Sequence, residues 1–141
     1  MPVVTMRSTD FSCLSDPSLM MALLTKGHRP ALLVNCNGRG ADAVTRSMLA
    51  WCTAPVHLIR LPGVLDLPLV NCGTLVVADA AALTIPQQIE LHDWLNAGRR
   101  SVQTVSITSR PIWPLVERGR FLEGLFYRLN VVTLEANETL M

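Results

Sequence analysis

The stretch Ala31-Leu32-Leu33-Val34-Asn35-Cys36-Asn37-Gly38-Arg39-Gly40-Ala41-Asp42-Ala43-Val44 decides the fold. Its first four residues are an uninterrupted apolar run, which fits a strand buried on both faces, as in a parallel sheet. Asn35 to Gly40 is turn-forming. A helical pattern follows, with Ala43, Val44, Met48, Leu49 and Trp51 as its apolar positions. A buried strand that turns directly into a helix is half of a strand–helix–strand unit, so such elements should alternate along the chain.

They do. Upstream, Asp16-Pro17 opens a helix that carries Leu19, Met20, Leu23 and Leu24 on one face and stops near Gly27. Downstream, Val56 to Leu61 alternates apolar and polar residues and reads as a short strand. Pro62 to Cys72 is punctuated by Pro and Gly and reads as loop with a short turn of helix. Thr74 to Ala78 is a second buried strand. Thr84 to Gln88 starts a helix whose buried face is Ile89, Leu91, Trp94 and Leu95, ending at Gly98. Val102 to Ile107 is a third buried strand. Short helices fall within Pro111–Gly119 and Phe121–Leu129, and Val131 to Leu134 is a last strand. The fold expected is α/β: a mainly parallel sheet flanked by helices in three layers. The 141 residues read as one domain, with an N-terminal segment 1–15, a core 16–135 and a tail 136–141.

Composition narrows the function classes. Half of the residues are apolar and 16% are charged, a mix that implies a large core or apolar surface covered by a partner. No apolar run approaches the roughly 20 residues of a spanning helix, and Met1 to Asp10 has no signal-peptide pattern, so a cytoplasmic, non-membrane protein is expected. The net charge of +1 gives no field that would steer it to nucleic acid. Cys13, Cys36, Cys52 and Cys72 lack zinc or redox spacing and read as buried free thiols. His28, His57 and His92 are scattered. Trp51, Trp94 and Trp113 are expected in the core or under loops.

In parallel α/β sheets ligands bind beyond the carboxyl ends of the strands, here the turn after Val34 and the residues after Val77. A strand, a glycine-bearing turn and a helix form the skeleton of a phosphate-binding loop, in which glycines admit the phosphate and the helix N-terminus offers N–H groups. Against the full pattern G-x-x-x-x-G-K-[ST], Gly40 matches the last glycine and Gly38 is a second one within the loop. Asn35 replaces the first glycine, Ala41 the lysine and Asp42 the Ser/Thr. The degenerate loop is therefore Gly38, Arg39, Gly40, Ala41 and Asp42. Ala41 supplies no charge to a phosphate, and Lys26 is the only lysine in the chain.

Two further stretches carry a family resemblance. Gly73-Thr74-Leu75-Val76-Val77-Ala78-Asp79, with Leu83 and Gln88 beyond it, resembles the second ATPase motif of the bacterial sigma-54-dependent transcription activators, G-T-L-F-L-D-E. Gly119-Arg120-Phe121-Leu122-Glu123-Gly124-Leu125-Phe126-Tyr127-Arg128-Leu129-Asn130-Val131-Val132 resembles their G-R-F-R-E-D-L-Y-Y-R-L-N-V-V. The resemblance implies a P-loop NTPase-like core of the AAA+ class without its helical lid. It implies that Ala78 stands where the family has its magnesium-associated aspartate, and Asp79 where it has the water-activating glutamate. Ser109 stands at the sensor asparagine. Leu122 replaces one trans-acting arginine and Arg128 retains the other; Arg120 is also retained. Arg120 and Arg128 read equally as partners of Glu117 and Glu123.

The family's sigma-contacting G-A-F-T-G-A loop has no counterpart in Thr53 to Cys72, and no helix-turn-helix follows, so direct DNA or sigma-factor contact is not expected. The function implied is transcription regulation by a non-hydrolysing domain that acts through protein contacts, with itself or with an AAA+ activator. The alternatives are weak ATP or ADP binding or turnover, and a structural remnant of a longer regulator.

Overall fold

The structure is a computed structural model that describes residues 4–8, 31–36, 41–50, 52–69, 72–97 and 102–136. The expected helix at Asp16–Gly27, the turn residues 37–40, Cys13, His28, Trp51, the stop at Gly98 and the tail beyond Ala136 lie outside the described residues. Strands are β1 (Val4–Ser8), β2 (Leu32–Cys36), β3 (Val56–Arg60), β4 (Gly73–Ala78), β5 (Val102–Thr108) and β6 (Val132–Ala136). Helices are α1 (Ala41–Leu49), α2 (Ile85–Asn96), α3 (Trp113–Glu117) and α4 (Glu123–Leu129), with a 3-10 turn at Ala80–Ala82.

The six strands form one sheet in the order β1-β6-β2-β5-β4-β3, and every pairing is parallel. The expected α/β three-layer fold is therefore the fold observed. The central strands β2 and β4 are apolar runs of the sequence; β4 and β5 are buried throughout, although Gln103, Thr104, Ser106 and Thr108 of β5 are polar. Strand β3 lies at an edge, which explains its alternation: of its five residues only Ile59 is buried. Strand β1 was not expected, since residues 1–15 read as a segment outside the core. It pairs only with β6 at the other edge. An edge strand uses one neighbour's ladder, so no continuous apolar run announces it.

Because side chains alternate along a strand, the sheet has two inner faces. Leu33, Leu75, Val77 and Val102 share a core with Leu91 and Leu95 of α2, Leu115 of α3 and Leu125 and Leu129 of α4. Leu32, Val34, Val76, Val105 and Ile107 point the other way by alternation, the side on which Val44 and Met48 of α1 are buried completely.

Three local expectations are corrected. Residues 62–69 contain no turn of helix; they run as an extended strap from β3 over α2. Leu61, just before the strap, and Leu65 within it enter the core. The Gln87 side-chain amide donates to Gly63 O at 2.7 Å, and the Trp94 indole N–H donates to Pro68 O at 2.9 Å. Ile89 is exposed, and Gln88 takes the inward position instead. The phase of α2 is set by Leu91, Trp94 and Leu95, and Gln88 falls on that arc while Ile89 does not. Trp94 lies under the strap as expected, but Trp113 is exposed and packs at a tilt against Phe126 and Tyr127, ring centroids 5.4 Å and 6.3 Å away.

Helix α2 starts in a capping box. Thr84 Oγ1 accepts from Gln87 N–H, and the Gln87 side chain accepts from Thr84 N–H. Removing the cap by Thr84→Ala is expected to cost about 1 kcal/mol. Thermal melting checks this, with a fall of about 3 °C expected for a chain of this length.

Candidate functional site

All strands run the same way, so the carboxyl ends of β2, β5 and β4 meet at one edge. Register places Asn35 beside Thr108 and Ala78 beside Ile107. Cys36, Ser109 and Asp79 therefore follow one another across that edge, with the end of β5 in the middle. Arg60 closes the row, opposite Ala78.

Asp79 adopts the left-handed conformation, φ 65° and ψ 56°. Aspartate tolerates this better than most residues. The conformation turns the chain sharply out of β4: Asp79 N–H donates to Ile107 O at 2.7 Å, and Asp79 O accepts from Ala82 N–H at 2.9 Å. The carboxylate makes no capping bond to the 3-10 turn and is half-buried at the edge. Ala78 beside it is apolar and buried, so Asp79 stands as a single carboxylate at this point.

Ser109 sits in a turn closed by its neighbours. Thr108 Oγ1 donates to Arg110 O at 2.7 Å and accepts from Arg110 N–H at 3.3 Å. Arg110, a residue that sequence reasoning did not single out, reaches back over the edge to Ala81 O at 3.5 Å.

Of the phosphate-loop positions, Gly38, Arg39 and Gly40 lie outside the described residues. Ala41 is the first residue of α1, and Asp42 lies in its first turn, where a carboxylate suits the positive end of the helix dipole. Asp42 pairs with Arg60 at 3.7 Å. Both side chains are more than half exposed, so the pair adds little stability; Asp42 places a negative group beside the helix N-terminus. Sequence reasoning missed Arg60 because nothing local marks a residue 18 positions away as the partner of Asp42.

Arg128 is engaged with α2. Its guanidinium donates to Leu95 O at 2.7 Å, satisfying a carbonyl in the last turn of α2. Among the described residues neither Arg128 nor Arg120 pairs with Glu117 or Glu123, which corrects that reading. The Gly119–Leu122 segment is instead held by Gln88, whose amide donates to Leu83 O and Arg120 O at 3.0 Å each and accepts from Leu122 N–H at 2.8 Å. A signal for this was available: a glutamine at core spacing with Leu91 and Leu95.

The described residues contain no group of three His, Cys, Asp or Glu side chains able to hold a metal. The three described cysteines are free, as expected, but only Cys36 is buried; Cys52 is half-buried, and Cys72 is exposed. Burial pushes the Cys36 and Cys52 thiols up to about 11. The unfolded chain releases these protons first, so stability is expected to fall as pH climbs from about 9 to about 11. Denaturant midpoints across that range check the sign, and alkylation near neutral pH should label Cys72 ahead of the other two.

No family model matches the chain. Over 121 residues it is 31% identical to the HTH-type transcriptional regulatory protein TyrR of Enterobacter agglomerans, covering 77% of this chain and 23% of TyrR. Over 75 residues it is 33% identical to an NtrX-like response regulator of Rickettsia typhi, covering 46% of this chain and 16% of that protein. The chain is homologous to the AAA+ core of the sigma-54-dependent activators. It spans under a quarter of the length of these two sigma-54-activator relatives. NtrX from Brucella abortus, solved in complex with ADP, shares the fold with a TM-score of 0.67 at 17% identity, over 92% of this chain and 36% of NtrX. The same protein in complex with ATP gives 0.65. No helix among the described residues is long and apolar enough to cross a membrane.

Proposed function

We propose that this chain is a regulatory, non-hydrolysing member of the sigma-54 activator class that works in the cytoplasm through protein contacts. The observation that carries the reading is Asp42, an exposed carboxylate in the first turn of α1 with Arg60 at 3.7 Å, where the class places a hydroxyl. A phosphate approaching that helix end meets a like charge and no lysine. With Ala78 beside the lone carboxylate of Asp79, the residues present do not fit a magnesium-bound triphosphate, and no hydrolytic step runs through them. Ser109 and Arg128 support the same reading: the first is a short hydroxyl at the sensor position, and the second is engaged with α2.

A second reading, weak ATP or ADP binding at Gly38 to Asp42 without turnover, is favoured by the NtrX complexes with those nucleotides. Calorimetric titration with ATP, ADP and a non-hydrolysable analogue, with magnesium, separates the two. Absence of saturable binding and of phosphate release is the expected result. Saturable binding abolished by a bulky residue at Gly40 would establish the second reading. Turnover lost in Asp79→Asn would overturn both.

A further inference from the structure

The strap and α2 together make an apolar strip on the surface. The strap is bonded to α2 at Gln87 through Gly63 O and again at Trp94 through Pro68 O. Those two points lie about 10 Å apart along the helix, so the strap runs beside α2 in the same direction. Val64 and Leu69 directly follow the two bonded carbonyls and are 84% and 91% exposed. On α2, Ile85, Ile89 and Asp93 recur at every fourth residue, so they share one exposed line. Glu90 falls between that line and the arc of Gln87 and Trp94, on the strap side. Four exposed apolar side chains are thus gathered along the two elements, and a gathered patch, unlike scattered ones, marks an interaction face.

The charge on this face has one sign. From Leu61 to Ala97 the chain contains no lysine or arginine. Asp66, Glu90 and Asp93 are exposed among the apolar residues. The one ion pair among the described residues is Arg60 with Asp42, so these three carboxylates have no cationic partner there. A phosphate-bearing partner, whether nucleic acid or an anionic lipid surface, meets like charge along the strip. A second copy does not supply the complement from the neighbouring helices: Arg110 and Arg128 reach carbonyls of their own chain, and Arg118 and Arg120 stand beside Glu117 and Glu123. Apolar side chains set among unpaired carboxylates fit a helix that is apolar on one face and carries lysine or arginine beside it.

We propose that the strap–α2 strip docks a basic amphipathic helix of another protein. The apolar face of that helix lies on Val64, Leu69, Ile85 and Ile89, and its basic residues meet Asp66, Glu90 and Asp93. This rests on the protein-contact reading and deepens it by giving the partner's chemistry. The two fail separately: a strip that binds no basic helix overturns only the docking, and nucleotide turnover at Asp79 overturns only the non-hydrolysing role.

The probe is a fluorescein-labelled peptide of leucine and lysine written as an amphipathic helix, titrated with the full chain and followed by anisotropy. A second peptide has glutamate in place of every lysine. Saturable, salt-sensitive binding of the lysine peptide is expected, with the glutamate peptide about tenfold weaker or more. Glu90→Lys with Asp93→Lys should weaken the lysine peptide by about tenfold and leave melting unchanged, because both side chains are exposed. Ile89→Ser should weaken both peptides. Glu117→Lys with Glu123→Lys, which lies off the strip, should leave binding as it was. No binding, equal binding of the two peptides, or an equal loss in the Glu117 and Glu123 variant would each overturn the proposal. So would a doubled mass of the free chain in sedimentation that Ile89→Ser abolishes, since a second copy would then cover the strip.

Discussion

Gly73→Ala is expected to destabilise this protein by roughly 3–4 kcal/mol, lowering the melting temperature by about 10 °C. Gly73 begins β4 at φ +96°, a conformation that L side chains rarely adopt. A Cβ there would lie 2.1 Å from Pro55 O and 2.9 Å from the proline ring. The oxygen has no room to retreat, because it accepts Thr74 N–H at 2.9 Å where β3 and β4 begin to pair. Thr74 Oγ1 also donates to Thr53 O, tying the same segment a second time. Gly119 provides the control: it too has positive φ, +72°, but a Cβ there meets nothing within 4 Å. Gly119→Ala should therefore show the backbone strain alone, about 1 kcal/mol. Thermal melts of the two variants separate strain from collision; equal losses would mean that the Thr53–Pro55 segment yields.

Gln88→Leu is expected to cost about 2–3 kcal/mol despite its similar volume and the gain of an apolar side chain in the core. Gln88 is fully buried, and its one amide answers three backbone groups from two separate segments. Leucine would leave Leu83 O, Arg120 O and Leu122 N–H without that partner, and an orphaned group forfeits its desolvation cost in full. The loss should be concentrated where α2 holds the Gly119–Leu122 turn. Hydrogen exchange of the Leu122 amide reads that directly: exchange should quicken there more than in β4. Unchanged exchange at Leu122 with a normal melt would show that Gln88 does not hold the turn.

Some of this was legible in residue order and some was not. Ala31–Val34 and Thr74–Ala78 read correctly because a strand buried on both faces is largely apolar on both, and that leaves a continuous mark; Val102–Ile107 read correctly as a strand although Gln103, Thr104 and Ser106 interrupt its apolar residues. The capped start of α2 at Thr84 read correctly because capping is local chemistry within four residues. Val4–Ser8 did not read as a strand, since its one ladder partner lies more than 120 residues away. At the candidate site the chain order identified Asp79, Ser109 and Asp42 as positions, but not Arg60 as the partner of Asp42, nor Leu95 O as the acceptor for Arg128.

The sequence by itself determined the parallel α/β architecture, the strand-to-helix turn at its carboxyl edge, and the absence of lysine and of paired carboxylates there. Those properties depend on residue type and short-range spacing. The tertiary structure alone decided that Ile89 faces out while Gln88 faces in, that residues 62–69 form a strap bound to Gln87 and Trp94, and that Arg60 lies beside Asp42. These depend on helix phase and on contacts between residues far apart in the chain, and local physics cannot select among such contacts until the sheet has brought the segments together.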